Sequence, residues 1–295
     1  MKLRIAENFR AVFYAPFYAI RALGLAEREG LDVEWLSSDL PGGAIEQVKH
    51  GAIDAQWGGP IRVLKDHDSS APSLVCFCEV VWRDPFYLIG RKNQLSVDLK
   101  GLAAMRLGVV SEVPTPWYCL RADLEDAGVD TASMRLVKDL SMPQQLDALA
   151  AGKLDAVQLF EPCASRALAE GNAILYAAAS RGPTSYTTFI TSRDGAAKRR
   201  DEFAALTRAT QAMLHWLAAE GPGELARVTA PFFADVPHDL LRSALARYHA
   251  AGLWSRTTTV SDAGFERLAH SLHAGGFIAR RATYAECVHD FGKPA

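Results

Sequence analysis

The chain has 295 residues, a length that suits two domains of ordinary size. Its apolar fraction of 49%, charged fraction of 22% and formal net charge of -2 are typical of a globular protein. Lysines and arginines form no long cluster that would indicate a nucleic-acid partner. No apolar run approaches the ~20 residues of a membrane-spanning helix. The sequence therefore predicts neither a nucleic-acid partner nor a membrane span.

The five cysteines do not have the pattern of a disulfide framework. Cys76 and Cys78 stand in a strand predicted over residues 73–81, where alternate residues share a face, so their thiols are predicted to be neighbours. No further metal ligand stands near them in sequence. We therefore predict buried free thiols, no metal site and no cofactor, which favours a reducing compartment.

The most informative stretch covers residues 8–20. It follows a short apolar strand, contains four aromatic side chains within six residues, and leads into a helix predicted over residues 19–29. Loops at the carboxyl ends of strands bind ligands in open α/β sheets. Aromatic faces beside a helix start suit a flat or anionic small molecule. Phe13 and Tyr14 are the aromatic residues of this loop predicted to contact a ligand.

Strands and helices alternate after this loop. Strands are predicted over residues 30–36 and 53–57, with a helix over 44–50 between them, which is typical of a doubly wound parallel sheet. The same order returns about 100 residues later, with a strand over 107–110 and a helix over 117–127. The repetition predicts an α/β protein with two doubly wound lobes of similar construction.

Two extended segments, residues 84–91 and 185–191, are predicted to cross between the lobes as a two-strand hinge. The predicted first lobe contains residues 1–84 plus 190–295, and the second contains residues 85–189. Apolar residues recur at helical spacing through the last hundred residues, which predicts a helical C-terminal wrap.

These elements resemble the type II periplasmic binding proteins. Residues 13–20, followed by Gly24-Leu25-Ala26-Glu27-Arg28-Glu29-Gly30-Leu31-Asp32-Val33, are similar to the opening of the branch that binds alkanesulfonates, nitrate and thiamine-precursor pyrimidines. Gly42-Gly43 and Gly51-Ala52-Ile53-Asp54 supply the branch's next two motifs in the expected order. Residues 99–108 resemble its entry to the second lobe. The resemblance implies the type II fold.

The resemblance also implies that a ligand binds in the cleft between the lobes, at the loops that follow the parallel strands. Glycines in these loops let backbone N–H groups approach an anion, and aromatic rings supply apolar walls. Arg10, Arg62 and Arg83 are candidate charge partners for a carboxylate, sulfonate or phosphate. The predicted ligand-binding residues are Arg10, Phe13, Tyr14, Gly42, Gly43, Trp57, Gly58, Gly59, Ser111, Thr115, Ser141, Phe160 and Glu161.

Glu161 discriminates best between ligand classes. If its carboxylate faces the cleft, it favours a ligand with a cation or N–H donors and disfavours a simple anion. The alternative is that it turns toward a helix N-terminus.

The first functional hypothesis is a monomeric ligand-binding protein for an ABC importer, which takes a small aromatic, heterocyclic or anionic ligand and closes about its hinge. Such a protein is periplasmic if a signal peptide has been removed. The chain as given opens without an apolar signal segment, so the alternative location is the cytoplasm.

The second hypothesis is a cytoplasmic enzyme on the same scaffold, such as a decarboxylase, a hydrolase or an enzyme like those of pyrimidine biosynthesis, or else a ligand sensor. A third hypothesis is a pair of lobes that binds no ligand and serves as an interaction module. The related pyrimidine synthase carries a lysine and a histidine where this chain has Gly58 and Arg62, and the related aryl-sulfinate desulfinase has a cysteine in its first loop. Residues 8–18 contain no cysteine. No catalytic residues are therefore predicted, and binding without chemistry is favoured.

Overall fold

A computed structural model of the chain describes residues 2–38, 40–91 and 98–292. The strands in this part of the chain are β1 (Lys2–Ala6), β2 (Asp32–Leu36), β3 (Ala55–Gly58), β4 (Leu74–Val81), β5 (Tyr87–Gly90), β6 (Arg106–Gly108), β7 (Arg135–Val137), β8 (Ala156–Leu159), β9 (Ala173–Ala177) and β10 (Thr187–Ser192).

The helices alternate with the strands and then follow one another in the last third of the chain. They are α1 (Ala15–Ala22), α2 (Leu25–Arg28), α3 (Ile45–Lys49), α4 (Ile61–Asp66), α5 (Thr115–Asp126), α6 (Met142–Ala150), α7 (Cys163–Ala169), α8 (Arg193–Lys198), α9 (Arg200–Thr229), α10 (His238–Ala250), α11 (Asp262–Ala274) and α12 (Tyr284–Cys287). Short 3-10 helices cover Val12–Tyr14, Lys100–Ala104, Thr131–Ser133, Ala178–Arg181 and Ala230–Phe233.

Two five-stranded sheets have the same internal order. The first runs β2-β1-β3-β10-β4 and the second runs β7-β6-β8-β5-β9. In each sheet the first three strands in this order pair in parallel. The fourth strand is antiparallel to the third and belongs to a segment that crosses between the lobes; it is β10 in the first sheet and β5 in the second. The predicted fold, two doubly wound α/β lobes with a two-strand connection, is confirmed.

The two crossings are joined to each other by backbone hydrogen bonds where they leave the first sheet. The N–H of Thr184 donates to the carbonyl of Trp82 at 2.7 Å, and the N–H of Tyr186 donates to that of Val81 at 2.9 Å. The connection between the lobes is therefore a paired ribbon.

The buried guanidinium of Arg181 lies beside this ribbon and pairs with the carboxylates of Asp84 and Asp123. The exact lobe boundaries remain a prediction. Parts of both predicted lobes, residues 1, 39, 92–97 and 293–295, lie outside the described residues.

The last third of the chain is helical, as the periodicity predicts; α9 packs on α1 and α2 of the first lobe, whereas α11 packs on α5 of the second lobe as well as on α4 of the first. The long α9 changes direction at Gly221, which has a non-helical φ of 79° and is the residue before Pro222. The helix predicted over residues 19–29 is divided in the structure. Gly24, with a φ of 62°, separates α1 from α2, because a left-handed residue cannot continue a right-handed helix.

The cysteine prediction is partly wrong. All five cysteines are free and buried. However, Cys76 and Cys78 lie in different apolar clusters instead of on one shared face. The register of β4 against β10 shifts twice near this point, and Cys78 adopts a φ of 55°. A bulge adds a residue to one strand and reverses the alternation, so the two thiols separate.

Glu79 follows the bulge and is completely buried. Its Oε2 accepts a hydrogen bond of 3.1 Å from the N–H of Ser261. Burial raises the pKa of Glu79 to about 7, although Ser185 and the Ser261 N–H oppose the rise. In the unfolded chain the carboxyl group returns to its ordinary pKa of 4.5.

This difference predicts a pH-dependent stability. Below pH 4.5 the carboxyl group is protonated in both states, whereas between 4.5 and about 7 it ionises only in the unfolded chain. The free energy of unfolding should therefore fall, relative to that of E79Q, by about 3 kcal/mol as the pH rises through this window. Urea unfolding of both proteins across the window measures the effect. A constant difference between them would show that burial does not shift this group.

Candidate functional site

A cavity lies between loops from both lobes, and we call it the cleft. Its empty space is about 380 Å³, part of it open to solvent. The first lobe supplies most of the wall, the second lobe supplies the start of α5, and the second crossing supplies one tyrosine. The lining residues are Asn8, Phe9, Phe13, Tyr14, Gly59, Ile61, Arg62, Val113, Pro114, Thr115 and Tyr186. A cavity between two lobes is a common position for a small-molecule site.

The aromatic loop after β1 forms one wall of the cleft. Phe13 and Tyr14 are 1% and 2% exposed, and their ring centroids lie 4.3 Å apart. The Phe13 ring also meets Phe160 of the second lobe edge-on at 5.3 Å. Pro16 stands in the first turn of α1, where its missing N–H breaks no helical hydrogen bond. The loop therefore presents a rigid apolar surface at the junction of the lobes.

Asn8 holds the polar part of this wall in place. Its Oδ1 accepts hydrogen bonds from the N–H of Gly42 at 2.6 Å and from Nε2 of Gln56 at 3.0 Å. Its Nδ2 donates to the hydroxyl of Tyr14 at 3.1 Å. One amide group therefore ties the loops after β1 and β2 to each other and to strand β3.

Arg62 supplies the positive charge of the cleft. Its Nη2 donates to the carbonyl of Pro41 at 3.0 Å, and its guanidinium lies against Gly42. A Cβ at Gly42, whose φ is 75°, would lie 2.6 Å from Cζ of Arg62. Within the described ranges no carboxylate forms an ion pair with Arg62. Burial lowers its pKa, because desolvation opposes the charge.

Two tyrosine hydroxyls add neutral donors. Burial raises the pKa of both Tyr14 and Tyr186, so each remains protonated. The Tyr186 hydroxyl is buried and has no hydrogen-bond partner among the residues that the structure describes. A buried hydroxyl without a partner is costly.

The carboxylate of Glu161 does not line the cleft. It is completely buried, pairs with Arg247 of α10, and accepts a 2.8 Å hydrogen bond from the N–H of Ser165 in α7. The N–H of Glu161 in turn donates to the hydroxyl of Tyr248 at 2.9 Å. Of the two alternatives that the sequence leaves open, the orientation toward a helix N-terminus is the one observed.

Seven of the other predicted ligand residues lie in the cleft wall or next to it. Four of them line the cleft, namely Phe13, Tyr14, Gly59 and Thr115. Three lie next to a lining residue, namely Gly42, Gly58 and Phe160.

Arg10 and Trp57 line a second cavity instead. There the guanidinium of Arg10 pairs with Glu7 at 3.0 Å, and the Trp57 ring stacks on Phe17 with centroids 5.2 Å apart. The geometry does not bring these two residues to the cleft, and their contact with a ligand stays a prediction.

Three further predicted residues have local partners. The Ser111 hydroxyl donates to the carbonyl of Leu140 at 3.1 Å. The Ser141 hydroxyl caps α6. Gly43 packs beside Leu40. Their ligand contacts also stay predictions.

Sequence reasoning missed several lining residues. Asn8 lies two residues after the end of β1, and Tyr186 stands in the second crossing, so their positions alone could have indicated a cleft. Phe9, Ile61, Val113 and Pro114 carry no such signal. Among the described residues no group of three or more histidine, cysteine or acidic side chains could hold a metal ion. In the same ranges no helix has the length and apolar character needed to cross a membrane.

Two lobes with this strand order and a cleft between them define the type II periplasmic-binding-protein architecture. Residues 90–231 match the NMT1-like family. YtlA of Bacillus subtilis, a candidate binding protein, is 24% identical over 98% of this chain and 87% of its own length.

Solved structures agree with this assignment. The periplasmic aliphatic sulphonate-binding protein SsuA of Escherichia coli superposes with a TM-score of 0.80 at 16% identity, over 97% of each chain. SsuA of Xanthomonas axonopodis pv. citri, bound to MOPS, gives 0.74 at 16% identity over 98% of each chain. The desulfurization enzyme DSZB gives 0.66 at 15% identity, over 98% of this chain and 96% of its own. The chain thus has the fold of the alkanesulfonate and NMT1-like branch, as the motifs implied.

The Asn8 network predicts a large stability effect. N8A leaves the Gly42 N–H and the Gln56 amide without their acceptor, so the free energy of unfolding should fall by about 2–4 kcal/mol. N172A is the matched control. The side-chain amide of Asn172 donates to the carbonyl of Ala167, and this carbonyl also accepts from the Asn172 N–H, so removal of the side chain leaves it with a partner. Urea unfolding compares the two, and equal losses would contradict the role given to Asn8.

Proposed function

We propose that the chain binds a small organic anion in its cleft and delivers it to an ABC importer. The observation that carries the proposal is the Arg62 guanidinium, which lines the cleft and has no carboxylate partner in the described part of the chain. A desolvated guanidinium gains most from a sulfonate or carboxylate, which it can bind through two parallel hydrogen bonds.

Other groups in the cleft favour the same sign of charge. The Tyr186 hydroxyl can donate to an anion. Thr115 starts α5 on the opposite wall, and the N-terminus of a helix of this length attracts negative charge. Glu161, which would repel an anion, is paired with Arg247 instead.

The rest of the cleft suits an apolar body. Phe9, Phe13, Ile61, Val113 and Pro114 surround the polar groups. This combination favours an organic acid over an inorganic ion such as nitrate. The sulfonate-binding neighbours make a sulfonate the first choice, with an aromatic carboxylate next.

Ligand capture would involve closure of the lobe made of residues 1–84 plus 190–295 on the lobe made of residues 85–189. The paired crossings are the natural hinge, because they are the direct connection between the two sheets. We further propose that the protein acts as a monomer in the periplasm, the compartment of the Escherichia coli neighbour, and that an ABC permease receives the ligand.

An enzyme is the second candidate, because DSZB shares the fold. The described lining of the cleft, however, contains no cysteine, and all five thiols are buried elsewhere. Recovery of the ligand after incubation separates the two functions. An unchanged ligand supports binding, whereas a consumed ligand supports catalysis.

A thermal-shift screen tests the ligand class. We expect alkane- or arylsulfonates or aromatic carboxylates, and neither neutral pyrimidines nor amines, to stabilise the protein through the cleft. A ligand at 100 times its dissociation constant adds about 2.7 kcal/mol to the free energy of unfolding. In calorimetry, R62M should weaken the best anion roughly 10- to 100-fold.

R242M removes an exposed arginine on α10 and is the control for the loss of one positive charge. Equal binding by R62M and R242M would exclude Arg62 as the anion partner. Preferential stabilisation by a cation that depends on cleft residues would overturn the proposed ligand class.

The contact between Gly42 and Arg62 gives a second prediction. G42A should displace the guanidinium and weaken the same anion at least about tenfold. G30A is the matched control, since Gly30 has a similar φ of 78° but, among the described atoms, none within 4 Å of the place its Cβ would take. Both substitutions should cost about 1–2 kcal/mol of stability, because both force alanine into a left-handed conformation. Unimpaired anion binding by G42A would contradict the proposed position of Arg62.

A further inference from the structure

A third cavity lies beside the hinge and is separate from the cleft. Its empty space is about 1330 Å³, much of it open to solvent. One wall is the edge strand β4 with the start of the first crossing, and the other is the segment of residues 252–262. Hydrogen bonds from Glu79 N–H to Thr258 and from Ser255 N–H to Val80 tie these walls together at 2.9 Å. We call this cavity the hinge groove.

Glu79 lies in the wall of the hinge groove with one oxygen unsatisfied. Its side chain is 0% exposed, and Oε2 accepts from Ser261, but Oε1 has no hydrogen-bond partner among the described residues. Leaving a buried carboxylate oxygen unpaired costs more than leaving a neutral group unpaired. A donor that reaches Oε1 from the groove would remove this cost.

The aromatic rings of the groove have their polar atoms already bonded. Trp82 Nε1 donates to the carbonyl of Gly252 at 2.7 Å, and Trp254 Nε1 donates to that of Phe13 at 3.0 Å. The Tyr284 hydroxyl donates to the carbonyl of Val260 at 3.0 Å. The Trp82 ring already carries the Arg83 guanidinium, whose Cζ lies 4.9 Å from the ring centroid. The Trp254 and Tyr284 rings are left to offer apolar and π surface, which attracts ammonium groups and apolar bodies.

We propose that the hinge groove binds a small monoamine whose ammonium group donates to Glu79 and whose apolar body lies against the Trp254 and Tyr284 rings. Arg83, Arg256 and Asp262 also line the groove. With Glu79 ionised, the two arginines balance the two carboxylates, so a ligand with a single positive charge is favoured over a diamine or a polyamine. The described linings of the groove and the cleft have no residue in common.

Calorimetry with 2-phenylethylamine tests the proposal on the full chain, at a pH of about 8 at which Glu79 is ionised. We expect wild-type protein to bind the amine, and to bind 2-phenylethanol, which lacks the charge, at least about tenfold more weakly. E79Q should weaken the amine by a similar factor. T259W, which places a large ring at an exposed position of the groove, should abolish binding without affecting the core.

R62M identifies the site, because it alters only the cleft. Amine binding that survives R62M and is lost in E79Q and T259W supports the hinge groove. Equal binding of the amine and the alcohol, or full binding by folded E79Q, overturns the role of Glu79. Loss of amine binding in R62M, with binding retained in T259W, would assign the amine to the cleft and overturn the proposal. The absence of any amine binding to wild-type protein would overturn it as well.

Discussion

The structure depends on the pairing of its two inter-lobe crossings. Each sheet accepts one antiparallel strand from a crossing, β10 in the first and β5 in the second. The backbone hydrogen bonds from Thr184 and Tyr186 then hold the crossings side by side. The resulting ribbon contributes Tyr186 to the cleft and Trp82 to the hinge groove. One backbone constraint therefore positions both cavities.

The distribution of ion pairs determines the sign of charge that the cleft can accept. A buried carboxylate is tolerated only with a partner, and Glu161 has Arg247 and the N–H of Ser165. Arg62 is held by a carbonyl group, which satisfies one donor without neutralising the charge. The charge of Glu161 is neutralised by Arg247, whereas no carboxylate of the described residues neutralises that of Arg62. The cleft is therefore positive, although the net charge of the chain is -2.

The sequence predicted the architecture well because hydrophobic alternation and glycine positions are local signals. The alternating elements, the repeat and the aromatic loop all followed from them. The orientation of Glu161 could not be predicted, since its partner Arg247 is 86 residues away. The separation of Cys76 and Cys78 depends on a bulge that pairing with β10 creates. Asn8 likewise acquires its role only when the loop after β2 and strand β3 fold against it.

The cleft and the hinge groove are separated by very few atoms. Trp254 borders the hinge groove, while its Nε1 donates to the carbonyl of Phe13, a residue that lines the cleft. Trp82 stands at the start of the crossing about which the lobes would turn. A change in the angle between the lobes would therefore alter the shape of the groove as well as that of the cleft. If the groove ligand prefers one angle, linkage requires the two ligands to change each other's affinity by the same factor. That factor cannot exceed the ligand's own preference between the two states.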